Sequence, residues 1–290
     1  MKTLLMLSWA LAPLFCLAQK SPVNFLKLPS DTTQLWLMDG NPNSDTVLIH
    51  CQGGPAPELG FAMHGRSSLR YVPRYATYQT LYLHQAQTFY PKVLHLGRAE
   101  AEQAAALTVL FLEAAVAYQK RRGKQVILIG HSYGAFIILN YLSTCEAQAD
   151  RYIISAGRLN VPMELVELHQ RGENRAFQED GMALVREPED LSDFTREELR
   201  VDQAKNFLKA ALGSPRYADL LQGKDLSTVS FFFAHNDQRV GGLTESEREC
   251  LTSLGATVFE NQDGHGETFY RFIDAVTDGS IKLASNTGKK

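Results

Sequence analysis

The sequence predicts an α/β fold: a mostly parallel sheet with helices on both faces and an inserted helical cap. Three observations predict it. Short apolar runs alternate with longer helical segments along most of the chain, which is the pattern of strand–helix–strand units. The run Val126–Leu139 reads as a buried strand, a tight Gly-X-Ser-X-Gly turn and a helix that begins at once. Between Leu159 and Lys224 the pattern changes to helical period, dense charge and an excess of acids, with no convincing strand. The expected organisation is a core of residues 19–158 and 225–284 with a cap at 159–224, whose removal should leave a folded core.

Composition bounds the function. The 290 residues carry 29 Lys and Arg against 32 Asp and Glu, a net charge of −3. No basic block and no interleaving of aromatic and basic residues occurs, so nucleic acid is not an expected partner. There is no internal repeat or low-complexity tract.

The first residues read as a targeting segment. Met1-Lys2 precedes an apolar stretch, Leu4–Leu17, and small residues stand at the −3 and −1 positions of a cut after Ala18. This is the layout of a signal peptide over residues 1–18, so the chain is expected to be exported, periplasmic or secreted. Lipid attachment through Cys16 is a minor alternative, because Phe15 is a poor neighbour for it. No other stretch is expected to cross a bilayer, and no stable membrane insertion is expected after cleavage. Cys51, Cys145 and Cys250 would remain, an odd number with no metal-ligand spacing, and buried reduced thiols are the default.

The elements follow in order. Leu35–Met38 is a strand and Asp39–Asn43 a turn. Thr46–His50 is the next strand and runs into Gln52-Gly53-Gly54-Pro55. Pro57–Ala76 has no clear period and suits a long loop with a short helix. Thr80–His84 is a strand. Arg98–Arg122 is a long helix with Lys120, Arg121 and Arg122 at its negative end and Gly123 as the residue that stops it. Val126–Ile129 is a strand apolar at every position, as expected where both faces of a sheet are covered. After the elbow helix, Tyr152–Ser155 is a strand. Pro162 opens a helix. Thr195 and Glu198 form a capping box for a helix ending near Gly213. Val229–Ala234 is a strand, Glu245–Leu254 a helix, Thr257–Phe259 the last strand and Glu267–Val276 the last helix. Residues 285–290 form a loose tail.

Chemistry gathers at the carboxyl ends of these strands. Gly130, Ser132 and Gly134 place a serine in a strained turn, its hydroxyl above the sheet edge. The pattern alone is weak, since about 0.1 chance matches are expected in a chain of this length; the strand–turn–helix context adds the weight. A serine hydroxyl needs a base, and the base needs an orienting carboxylate. His265, in Asp263-Gly264-His265-Gly266 after the last strand, is the candidate base, with His235 as its rival. Asp237, directly after Val229–Ala234, is the candidate acid; the alternative is a turn-capping aspartate. Asp263 would sit in the same loop as His265. An oxyanion needs two backbone donors. The N–H of Tyr133 supplies one and that of Gly54 the other, with Gly53 next in line. His50 and Cys51 are expected to pack rather than react.

The elbow GHSYGA, the loop QGGP, the acid loop AHNDQRV and the histidine loop DGHG, in this order, resemble the α/β-hydrolase superfamily over nearly the whole chain after residue 18. Members with a Gly-Gly-Pro loop and a helical cap include prolyl-aminopeptidase-like enzymes, lipases and esterases. The resemblance implies a covalent acyl-enzyme, no cofactor and no metal. It implies a small-molecule or peptide acyl substrate, an ester, thioester or amide. The aminopeptidase-like members read His-Gly-Gly-Pro-Gly, where this chain has Gln52 and Ala56 at the outer positions. They read Asp-Gln-Arg-Gly where this chain has His84-Gln85-Ala86-Gln87. They hold a free amino terminus with cap carboxylates, for which Glu164, Glu167, Glu173 and Glu179 are available. The alternative is a catalytically inactive relative that binds a ligand or partner.

Overall fold

The computed structural model describes residues 28–59, 68–90 and 95–283. The expected signal segment, Cys16, the terminal tail and part of the Pro57–Ala76 loop lie outside them. Seven strands form one sheet: β1 (Trp36–Gly40), β2 (Thr46–Cys51), β3 (Gln79–Leu83), β4 (Gln125–His131), β5 (Arg151–Ser155), β6 (Val229–Ala234) and β7 (Thr257–Asn261). Their order is β1-β3-β2-β4-β5-β6-β7. Only β1 runs antiparallel, against β3. All seven sequence-predicted strands are present.

The helices are α1 (Ala86–Phe89), α2 (Arg98–Arg121), α3 (Tyr133–Thr144), α4 (Met163–Gln170), α5 (Arg196–Gly213), α6 (Tyr217–Leu220), α7 (Glu245–Ser253) and α8 (Glu267–Thr277). α2 stops as its sequence dictates. Gly123 takes a φ of +72°, and Gly123 and Lys124 donate back to the carbonyls of Lys120 and Gln119, satisfying the end of the helix in a left-handed cap. α5 starts with the expected box: Thr195 and Glu198 each hold the other's backbone N–H. The short α1 and α6 carry too few residues for a period and are not visible in the sequence.

The alternation of side chains along the strands divides the core in two. Val47, Ile49, Val126, Leu128, Ile154 and Phe231 face the layer that contains α2 and α3. Leu48, Ile127, Ile129, Ile153 and Phe232 face the layer of α8, with Phe269, Phe272 and Ile273. α3 is apolar on every side because it lies between the sheet, α2 and α5.

One expectation needs correction. α2 contains an 18-residue window of mean hydropathy 1.3 and is long enough to cross a membrane. It is a core helix: α3, α5 and the sheet cover it, and Leu107, Phe111, Leu112 and Ala115 are fully buried. The segment between β5 and β6 is mainly helical, with one isolated antiparallel bridge, Phe177 to Leu184. Its Leu165, Phe177, Leu208, Leu212 and Tyr217 belong to the same buried cluster as the sheet. Removing residues 159–224 would uncover the apolar face of α2.

The turn after β4 sets the tightest constraint. A Cβ added at Gly134 would stand 1.9 Å from the carbonyl oxygen of Cys51, and one at Gly130 would stand 2.4 Å from that of Gly134. Both contacts are with backbone, which cannot rotate aside. Gly134→Ala is therefore expected to cost about 3 kcal/mol or more of stability. Urea denaturation measures this, and an unchanged midpoint would show that the crossing can relax.

Candidate active site

The sheet order reverses between β2 and β4: the chain leaves β2 toward β3 and leaves β4 toward β5. Loops diverge there and open a crevice at the carboxyl edge. The loop after β2, the elbow after β4, the loop after β6 and the loop after β7 meet around one cavity of about 670 Å³. That volume falls within the range that holds a small organic ligand.

Ser132 sits at the N-terminus of α3 with φ +57° and ψ −122°, a conformation that costs a non-glycine residue about 1–3 kcal/mol. Its N–H donates to the Ser155 carbonyl (2.9 Å) and its carbonyl accepts from Ala135 (2.8 Å). These bonds hold the turn while the side chain faces the cavity.

Asp237 is 1% exposed. Its Oδ1 accepts from the backbone N–H groups of Arg239 (2.8 Å) and Val240 (2.9 Å), and its Oδ2 stands 2.8 Å from His265 Nδ1. One oxygen caps the turn and the other meets the imidazole. Burial alone would raise its carboxyl. The hydrogen bond and charge of His265 and the two backbone donors outweigh burial and bring it below the usual carboxylate range. His265 lines the same cavity as Ser132, and no hydrogen bond joins the two in this geometry. The rivals are placed elsewhere. His235 pairs with Glu260, and Asp263 pairs with Arg271 at 2.5 Å.

Gly53, Gly54 and Tyr133 also line the cavity. A Cβ at Gly53 would lie 3.4 Å from the Cβ of Ser132, and Gly54 takes a φ of +137° ahead of a cis bond to Pro55. Among the described residues, no cluster of three or more His, Cys, Asp or Glu side chains is arranged to hold a metal ion.

No protein-family model matches the sequence, and no curated protein matches it either. Solved structures do match the fold. Est1E from Butyrivibrio proteoclasticus, solved with ferulic acid bound, superposes with a TM-score of 0.51 at 14% identity, covering 84% of this chain and 93% of that one. An α/β superfamily hydrolase from Oenococcus oeni gives 0.51 at 15% identity, covering 86% and 96%. MGS-M2, an α/β hydrolase enzyme from a Medee basin deep-sea metagenome library, gives 0.50 at 14% identity, covering 87% and 96%. The chain has the α/β-hydrolase fold.

Within this α/β-hydrolase fold, Gln85, His131, His50 and Arg158 pack around the site without having been candidates for its chemistry. Gln85, just after β3, is buried; its Nε2 donates to the carbonyls of Gln52 (2.9 Å) and Gly53 (3.2 Å), and its Oε1 accepts from the N–H of Ala56 (3.1 Å). One side chain thus clamps both ends of the Gly-Gly-Pro loop. His131 packs its ring 4.9 Å from that of His265 and places Nδ1 3.1 Å from Ser155 Oγ. Burial first, then the neighbouring His265, pushes it down to about 3, so it is a neutral wall. His50 is buried beside Tyr82 and Phe269 and pushed down to about 4. Arg158 reaches Glu247 at 3.4 Å, both buried, and lies over the Phe177 ring. This pair ties α7 to the loop after β5 beneath the acid loop. Cys51, Cys145 and Cys250 are free thiols, and burial pushes the Cys51 thiol up.

Two outcomes follow from this geometry. The depressed Asp237 carboxyl contributes stability that is present above the unfolded value of about 4 and lost as pH falls through the lower folded value. Denaturant midpoints taken downward from pH 5 should therefore drop for the native chain, and Asp237→Asn should remove this part of the dependence. Gln85→Leu leaves one N–H and two carbonyls without a side-chain partner, and should cost about 1–3 kcal/mol of stability. It should also slow modification of Ser132 by a fluorophosphonate; an unaffected rate would mean that the loop holds itself.

Proposed function

We propose that the chain is an exported serine hydrolase that cleaves a carboxylic ester, thioester or amide through an acyl-enzyme. The observation that carries this is the buried Asp237–His265 hydrogen bond of 2.8 Å, facing the same cavity as a serine in a strained elbow. Export rests on the sequence of residues 1–18, and residues 159–224 are read as the cap over the site.

In the proposed reaction His265 takes the proton of the Ser132 hydroxyl as its oxygen attacks the substrate carbonyl carbon. Asp237 fixes the Nδ1–H tautomer and stabilises the imidazolium that forms. The carbonyl oxygen, now negative, lies against the N–H groups of Tyr133 and Gly54, with Gly53 beside them, and the positive end of α3 favours the charge. Collapse expels an alcohol, thiol or amine, to which His265 returns the proton. Water, activated by His265, then releases the acid and restores Ser132. The neutral, desolvated His50 and His131 on this wall leave His265 to carry the proton.

An ester or thioester fits better than the free amino terminus of a peptide. Glu164, Glu167, Glu173 and Glu179 are exposed and none lines the cavity, so these four carboxylates, the candidates for holding an ammonium group, face solvent. Labelling of the purified chain with a fluorophosphonate, followed by peptide mapping, tests the mechanism. The expected result is a single adduct on Ser132, absent in Ser132→Ala and slowed about a thousandfold or more in His265→Ala. Well-folded protein that neither labels nor hydrolyses p-nitrophenyl esters would instead support a ligand-binding relative without catalysis.

A further inference from the structure

Lys209 occupies an unusual position. It lies on α5 and lines the cavity at its cap end, with Val161, Leu165, His169, Asn174 and Gly213. Its Nζ donates to Asn206 Oδ1 at 2.8 Å. Asn206 is fully buried and cannot turn over, because its Nδ2 is bound to the Gly172 carbonyl (3.1 Å) and to Asp202 Oδ2 (3.0 Å). The amide therefore takes up the carboxylate and offers the ammonium only a neutral oxygen. The same arrangement repeats across the cavity wall. Asn174 Nδ2 donates to Glu189 Oε2 (3.1 Å), and Asn174 Oδ1 meets His169 Nε2 (3.0 Å).

Among the described residues no carboxylate reaches ion-pair distance of Lys209. Burial is the strongest influence on it and draws the ammonium down to about 8; Asp202 and Glu189 favour its charge from farther away, and Lys205 and Arg239 oppose it. It stays mainly charged at neutral pH, yet among the described residues two of its three N–H bonds have no acceptor. A partly desolvated cation without a partner is costly to keep, unless an anion completes it. The rest of the lining agrees. Among the described residues Arg239 is exposed and without an ion pair, Glu267 is the lone carboxylate of the lining, and His50, His131 and His169 are all held neutral by burial.

We propose that the acyl substrate carries a carboxylate of its own and that Lys209 binds it at the cap end of the cavity, so that a monoester or monothioester of a dicarboxylic acid is the class this site selects. The inference rests on the acyl-enzyme reading above. It commits to a single carboxylate, because one ammonium is available at that end and Val161, Leu165, His169, Asn174 and Gly213 beside it are apolar or neutral.

The test compares p-nitrophenyl monoesters of succinic, glutaric, adipic and suberic acid with the neutral p-nitrophenyl alkanoates of the same lengths. At least one charged ester should exceed its neutral counterpart in kcat/KM by about tenfold to a hundredfold, mainly through KM. In Lys209→Met the ratio should fall to about one, and in Lys209→Arg the preference should persist. A second measurement does not depend on turnover: the free dicarboxylates of the same lengths are titrated into Ser132→Ala and into Ser132→Ala with Lys209→Met. At least one should bind the first and lose about tenfold or more in affinity for the second. Equal rates on charged and neutral esters would overturn the inference. So would a preference that survives Lys209→Met, or failure of every dicarboxylate to bind Ser132→Ala. If instead dicarboxylates bind through Lys209 but no ester turns over and Ser132 does not label, the hydrolase reading fails and the anion site stands alone. Thermal midpoints of all variants establish that each is folded.

Discussion

The site depends on a crossing of three backbones. The first turn of α3 passes so close to the end of β2 that position 134 has no room for a Cβ against the Cys51 carbonyl. That contact fixes α3 over the gap between β2 and β4, where the sheet order reverses. It also forces Ser132 into a conformation that costs about 1–3 kcal/mol. The strain is sustained because the residues on either side are committed: β4 is paired on both edges, and α3 is buried on every side. The Gly-Gly-Pro loop is delivered to the same place by β2, and Gln85 holds it there from the end of β3.

The electrostatics of the crevice follow from burial. Among the described residues four histidines line it, and His50, His131 and His169 are driven toward the neutral form by desolvation. His265 presents its Nδ1 to Asp237, a carboxylate that is itself buried but retains its charge through three hydrogen bonds. In the proposed reaction, selection of one base among several imidazoles is made by the partner, not by the ring. Asp237 can serve because its two oxygens have separate tasks, and the turn that Arg239 and Val240 close keeps the carboxylate aimed at His265.

The fold and much of the site were legible because their signals are local. Seven strands, the caps at Gly123 and Thr195 and the elbow glycines each announce themselves within a few residues. The juxtaposition of Asp237 and His265 across 28 positions could be anticipated because both follow strands of one parallel sheet, whose carboxyl ends must share an edge. Gln85 could not be read this way, since its partners lie 29 to 33 residues away and a buried glutamine gives no pattern. The alignment of His84-Gln85-Ala86-Gln87 with an aminopeptidase motif was a signal, but it pointed to a missing feature when one residue of it was in place. The packing of apolar residues of 159–224 into the cluster beneath the sheet was hidden for a similar reason. Charge density in 159–224 suggests a solvated unit, while a few apolar positions, Leu208 and Leu212 among them, decide where it packs.

Net charge misleads in the same segment. Its acids outnumber its bases, and from sequence its carboxylates are natural candidates to meet a cationic substrate. The sign of a binding site is set by the few side chains that face the cavity, and helix geometry selects them. On α5, Asn206, Lys209 and Gly213 are three and seven positions apart and so share a face, while Glu197 and Glu198 stand in the first turn, exposed, where they favour the helix dipole. On α4, Leu165 and His169 are four apart and turn inward, leaving Glu164 and Glu167 outside. A segment rich in acids therefore presents a cation to the cavity. Its acids keep the outer surface hydrated, and two asparagines hold the nearest carboxylates away from the ammonium. A carboxylate in direct contact would have been the simpler way to stabilise Lys209. Asparagines in those positions leave it open to an anion that enters from solvent.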